Sequence, residues 1–282
     1  VIRSTGPSSV LATQVWRLLL SMISGAALAL AYADYNWPVL GWLAIAGLML
    51  CCLKAGPGLA ATCGLLFGLV HYMISLPWIY TVLREYGPLP AWQAGPLLGL
   101  LSLVCAIYCA TFAALLGWIS RRNQRMAIWT APFLWVALEY VRSHMPDIGF
   151  PWNLLGYTAA NSLALLQIVS VTGIFGLSLL VAGYNSLTVW AVISIREAKG
   201  RTRITPAVLI WMGATAILVG IAAAGGSLVP QAQPTSVAHL VQTSLPQSMS
   251  YTPDWDVVHA DDMEEIEKAS IAAGRARPGL VI

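Results

Sequence analysis

Long apolar runs separated by short polar segments fill the first 225 residues of the chain. The runs fall at roughly 15–33, 37–53, 58–80, 92–119, 126–143, 165–194 and 205–225. Each is near or above the ~20 apolar residues that a helix needs to cross a bilayer. The pattern predicts about seven transmembrane α-helices. The sixth run is long enough to begin as a surface or re-entrant segment. The pattern then changes. Gly225-Gly226-Ser227 through Gln233-Pro234 reads as a linker. Val237 to Gln242 alternates like a strand, and 254–274 reads as a helix. Asp254 is its expected N-cap, Val257, Met263, Ile266 and Ala269 its apolar side, and Gly274 its end. A second strand starts at Gly279. Strand, helix, strand is the opening of an α/β domain. The expected organisation is therefore a transmembrane helical domain at 1–225, a linker at 226–236, and an incomplete extracytoplasmic α/β domain at 237–282. Too little chain follows the linker for such a domain to stand alone. With Val1 at one end and a strand at the other, the chain reads as a fragment.

Composition supports the membrane reading. The chain is 58% hydrophobic and only 10% charged, and its mean hydropathy is +0.72. Soluble domains are about a quarter charged. The five cysteines, Cys51, Cys52, Cys63, Cys105 and Cys109, all lie in apolar runs. They read as buried, inert thiols. His71, inside the third run, reads as hydrogen-bonded packing. No metal site, cofactor or nucleic-acid partner is expected.

The net charge of +3 matters less than its placement. Arg3, Arg17, Lys54, Arg121, Arg122, Arg125, Arg196, Lys199, Arg201 and Arg203 fall on one side of the seven-span arrangement. The other side holds only Arg84 and Arg142. Short cytoplasmic loops carry the excess of Lys and Arg. The amino terminus is therefore expected in the cytoplasm and the segment after about 226 outside it.

The outer loops have the unusual chemistry. Tyr32 to Pro38, Pro77 to Tyr80 with Arg84 to Pro88, and Gly149 to Tyr157 are rich in aromatics and proline. The last of these, GFPWNLLGY, follows Glu139 and Arg142, which are three residues apart on one helical face. These two are expected to pair with each other or to reach the headgroups at low cost near the interface. Two readings stand for the aromatics. Trp152 and Tyr157 form part of an interfacial belt. Alternatively, Gly149 and Pro151 fix a turn that holds Phe150 and Trp152 in a lipid-facing groove beside the Arg142 cation.

These residues together resemble the bacterial apolipoprotein N-acyltransferase family. The resemblance rests on Trp135, Glu139 and Arg142, then Gly149-Phe150-Pro151-Trp152 and Gly156-Tyr157. Gly64-Leu65-Leu66-Phe67-Gly68 with Pro77-Trp78-Ile79, and Val241 through Gln247, add to it. Thr158-Ala159 and Ser244 depart from the family's usual residues. The resemblance implies that the α/β segment begins a nitrilase-like (carbon–nitrogen hydrolase) domain. It implies a multi-pass protein of the bacterial inner membrane, with that domain in the periplasm. It implies transfer of an acyl chain from a phospholipid, through a cysteine thioester, to the α-amine of a lipoprotein's diacylglyceryl-cysteine. The family uses a Glu-Lys-Cys triad. The carboxylate takes the thiol proton, and the ammonium stabilises the oxyanion. No residue of this chain is assigned to the triad, which is expected beyond Ile282; Glu264, Glu265 and Glu267 read as a solvated helix face. The chain alone is expected to be inactive. Its expected substrate-binding residues are Glu139, Arg142, Phe150, Pro151, Trp152 and Tyr157. Other readings are the membrane portion of a polyprenol-phosphate mannose synthase fusion and a non-catalytic membrane protein. A transporter would need paired, interrupted spans, and none is visible.

Overall fold

The computed structural model describes residues 7–32, 35–87, 89–198, 204–229, 238–242, 254–276 and 280–281. They fall into two units, the larger within Val1–Val229 and the smaller chiefly within Pro230–Ile282.

The larger unit is helical. Its elements are α1 (Pro7–Leu30), α2 (Gly41–Cys52), α3 (Pro57–Ser75), α4 (Pro77–Glu85), α5 (Ala91–Arg122), α6 (Gln124–His144), α7 (Leu163–Leu166), α8 (Val169–Glu197) and α9 (Pro206–Ala224). Among the described residues, five segments are long and apolar enough to cross a membrane: Leu11–Leu30, Pro57–Ser75, Ala91–Arg122, Val169–Glu197 and Pro206–Leu228. The second expected span is the shorter apolar segment Pro38–Cys52. The fifth is the helix α6, whose polar residues lower its hydropathy. The expected run 58–80 is two helices rather than one. Leu76 leaves helical geometry after α3, and α4 starts at Pro77, which has no N–H to continue the α3 ladder. The sixth run also starts irregularly. The single turn α7 precedes α8, and Gly173 kinks α8 with φ 65° and ψ −176°.

Small residues let the central helices meet backbone to backbone. A Cβ on Gly64 of α3 would lie 2.3 Å from the Cys109 carbonyl oxygen of α5, and one on Gly68 would lie 2.7 Å from the Ala106 Cα. Lipid tails are as apolar as leucine, so close packing rather than hydrophobicity drives such contacts. Buried polar bonds fix the outer helices. The Asn185 side chain of α8 accepts from the Ala46 N–H of α2 at 2.8 Å and donates to the Gly41 carbonyl at 3.1 Å. Arg17 donates to the Cys51 and Leu53 carbonyls, at the end of α2 where carbonyls lack intrahelical donors. All five cysteines are buried and unpaired. His71 is buried among Tyr32, Phe67 and Tyr72. Its Nδ1 has no hydrogen-bond partner, against the expectation of a bonded histidine.

In the smaller unit, β1 (Ala238–His239) pairs in parallel with β2 (Leu280–Val281). Between them lie α10 (Trp255–Val258) and α11 (Ala260–Ala276). Parallel neighbours need such a crossover. The expected single helix is broken at His259, extends past Gly274, and receives no side-chain cap from Asp254. Val257 and Met263 are exposed rather than buried on an apolar side. Val237 and Thr243 to Gln247 lie outside the described residues.

Candidate functional site

The site is built where the end of α6 meets the GFPWNLLGY loop. The loop doubles back tightly on the helix. A Cβ on Gly149 would fall 2.8 Å from the Ser143 carbonyl oxygen and 2.9 Å from that of Met145. At the far end, a Cβ on Gly156 would fall 2.8 Å from the Ile174 carbonyl oxygen. Both ends of the motif therefore require glycine. Between them, Asn153 has φ 55°, a left-handed conformation that asparagine tolerates better than most residues.

Glu139 and Arg142 do not pair with each other, and neither reaches the surface. Glu139 is 5% and Arg142 3% exposed. The ion pairs among the described residues are His259–Asp262 and Lys268–Glu264. Each buried side chain instead holds loop backbone. The Glu139 carboxyl accepts from the Leu155 N–H at 2.7 Å. The next amide, Gly156, donates to Ser178 Oγ at 2.8 Å. Arg142 Nη1 donates to the Phe150 carbonyl at 2.7 Å and to the Trp152 carbonyl at 2.8 Å. The Phe150 N–H returns a bond to the Arg142 carbonyl at 2.9 Å, which also caps the end of α6. The Arg142 guanidinium lies 5.6 Å from the centre of the Tyr72 ring. Carbonyl dipoles and a ring face thus replace the carboxylate expected from the sequence.

Three other elements tie in. Tyr32, after α1, donates to the Asn153 carbonyl at 3.0 Å. The Asn153 amide donates to Ser75 Oγ, at the end of α3, at 2.7 Å. Below the loop, Trp135 packs edge-on against Phe67 and Phe112. Glu139 Oε2 and Trp135 Nε1 are buried without hydrogen-bond partners. They line a cavity of about 20 Å³ together with Tyr72, Cys109 and Arg142.

The fixed loop displays aromatics. Phe150 and Trp152 stack with centroids 5.4 Å apart, and Trp78 of α4 lies 5.9 Å from Trp152. Trp152 is 50% and Tyr157 44% exposed, and Pro151 is exposed beside them. The structure thus brings Glu139, Arg142, Phe150, Pro151 and Trp152 together. Tyr157 follows in the turn Leu155–Ala159, apart from the stack. Next to it, the buried Thr158 donates to the Leu155 carbonyl and fills the space above Gly41. Sequence reasoning did not single out Asn153, Ser75, Ser178 or Tyr32. A polar residue in an apolar run and an Asn inside a turn are the signals that point to them. On the other side of the loop, α2, α8 and α9 enclose an apolar cavity of about 490 Å³, lined by Trp42, Leu165, Tyr184 and Leu218 among others. Its Tyr184 and Thr215 hydroxyls bond to each other at 2.7 Å. Among the described residues, no three His, Cys, Asp or Glu side chains converge as a metal would require.

The family model for the apolipoprotein N-acyltransferase N-terminal domain matches residues 24–187, which include every residue of this site. A protein of Geobacter metallireducens named apolipoprotein N-acyltransferase is 32% identical over 264 residues, covering 91% of this chain and 49% of the relative. One of Methylococcus capsulatus with the same name is 31% identical over 244 residues, 84% of this chain and 45% of the relative. One of Shewanella oneidensis is 28% identical over 242 residues, 84% and 44%. The chain spans about half the length of these relatives. With the helical fold, the clasped loop and these matches together, the chain belongs to the apolipoprotein N-acyltransferase family.

Proposed function

We propose that this chain is the membrane part of an enzyme that moves an acyl chain from a phospholipid to the α-amine of a lipoprotein's diacylglyceryl-cysteine. The protein sits in a bacterial inner membrane, with the amino terminus cytoplasmic and the segment after α9 on the other face. That segment opens a nitrilase-like domain, and the transfer runs through a cysteine thioester. No residue of this chain is assigned to the bond-making steps. The loop supplies the membrane-side wall of the acyl-donor site, with Phe150, Pro151, Trp152 and Tyr157 against the lipid and Glu139 and Arg142 behind them. One observation carries the reading: in a chain of this family, a buried arginine holds the backbone of Phe150 and Trp152, so that the exposed Trp152 stacks on a half-buried Phe150 beside Trp78. A belt residue needs no such support, because any rotamer at headgroup depth serves it. A rigid aromatic wall gives contact area at low entropic loss.

Trp152→Ala tests the reading in the intact protein that carries this chain. The side chain is half exposed, so insertion and thermal stability should hold. An aromatic pair contributes about 0.5–1.5 kcal/mol beyond its area, so acylation of a diacylglyceryl peptide should fall up to ~10-fold. An unchanged rate in both Trp152→Ala and Trp78→Ala would leave the aromatics as belt residues only.

A further inference from the structure

A further cavity lies at the other end of α6 from the aromatic loop. It has a volume of about 360 Å³ and lies between the α5–α6 turn and the last turns of α8. Arg122, Asn123, Gln124, Arg125, Ser194 and Glu197 form its polar lining, and Ile128, Trp190 and Ile193 its apolar lining. Arg122 and Arg125 are exposed, and among the described residues neither forms an ion pair. Glu197 lines the same cavity, and among the described residues it forms no ion pair with either arginine. The Arg122 guanidinium is not loose, because it lies 4.1 Å from the centre of the Trp118 ring.

The backbone adds donors. The cavity sits at the start of α6, a helix of 21 residues with no acidic residue in its first turn. Asn123 accepts from the Met126 N–H and caps one of the orphan amides. The Gln124 and Arg125 amides precede the first intrahelical bond, so they have no acceptor in the helix. These two amides add free donors beside the guanidinium groups, while the carboxyl ends of α5 and α8 at the same place bring partial negative charge. Trp190 and Trp129 pair at 5.6 Å beside it, at the edge where the apolar helix ends.

We propose that this cavity binds the phosphate of an anionic membrane phospholipid. The arginines and the helix start hold the phosphate, and Ile128, Ile193 and Trp190 contact the first part of its acyl chains. A polar cavity with two arginines to one carboxylate and two free helix amides suits an anion; its apolar floor, in a chain that crosses the membrane, suits one attached to hydrocarbon. This inference does not rest on the function proposed above, and its test does not read acylation.

The test is native mass spectrometry of the purified chain with an equal mixture of phosphatidylglycerol and phosphatidylcholine. Each arginine near a membrane surface favours anionic lipid by about 5-fold, so phosphatidylglycerol should be retained by roughly 25-fold. The Arg122→Gln/Arg125→Gln double variant should bring the two lipids near parity at an unchanged melting temperature. Arg121→Gln, exposed and outside the cavity, should keep the preference. Ile193→Trp, which fills the cavity and leaves both arginines, should lose it. Preference retained in either cavity variant, or lost in Arg121→Gln, would reduce the effect to general surface charge and overturn the proposal. Displacement of the lipid by millimolar inorganic phosphate would make the site one for a soluble anion, and overturn it too.

Discussion

Arg122 and Arg142 bracket α6, and they solve opposite problems. Arg142 is buried, and its donors are taken up by loop carbonyls. Arg122 is exposed, lies on a tryptophan face, and has no anionic partner among the described residues. The same guanidinium is a structural clasp at one end of the helix and a displayed charge at the other. The difference teaches that a cation in a membrane protein is informative only with its partners. Inside the fold, the desolvation of a charge has to be met by hydrogen bonds, so the group becomes part of the backbone's own geometry. At the edge, water and headgroups meet that need, and the charge stays available to a ligand.

The comparison breaks most sharply at Arg142. Arg142→Ala leaves buried carbonyls of Phe150 and Trp152 without donors, and should lower stability by about 3–5 kcal/mol. Thermal unfolding in detergent would show it. Arg142→Lys should recover only part, because a lysine lacks the planar fork that reaches two carbonyls together. Next comes Glu139. Glu139→Ala strands the Leu155 N–H and should lose about 1–3 kcal/mol, whereas Glu139→Gln keeps an acceptor and should lose less. An equal loss in both would mean that charge, not the bond to Leu155, matters there. The smallest change is expected at the displayed cation. Arg122→Gln should alter stability by less than about 0.5 kcal/mol. A loss as large as that of Arg142→Ala would erase the distinction between the two arginines.

The helices were largely legible in the sequence, and the site only in part. Each of the seven apolar runs is largely helical, although 58–80 holds two helices and 165–194 begins with a separate turn, because hydropathy reports burial in lipid without regard to partners. The break at Leu76 was not legible. Apolar residues continue through it, and proline is tolerated inside membrane helices, so Pro77 alone does not announce a stop. Pro96 and Pro132 make the point, since both lie inside continuous helices. Glu139 and Arg142 were legible as a pair of interest, but not as a clasp. Their partners are backbone groups of Phe150, Trp152 and Leu155, and every residue has those groups, so the side-chain sequence carries no mark of the choice. The spacing of three instead suggested a local ion pair. Gly149, with Pro151, was legible as a turn. That Gly149 and Gly156 each face a carbonyl oxygen follows only from the folded helix ends.

The Asn185 bridge to α2 has a consequence for biogenesis. Asn185 and Ala46 are 139 residues apart in the chain. At a synthesis rate of roughly 5–20 residues per second, α2 emerges roughly 7–28 s before the side chain that will hold it. The 12 residues of α2 cover only about 18 Å, so little of the helix's own length fixes its depth. Until α8 is made, α2 is held from the α1 side, where Arg17 bonds the Cys51 and Leu53 carbonyls. The Asn185 bond to α2 is thus completed late, once the ribosome has passed one asparagine codon.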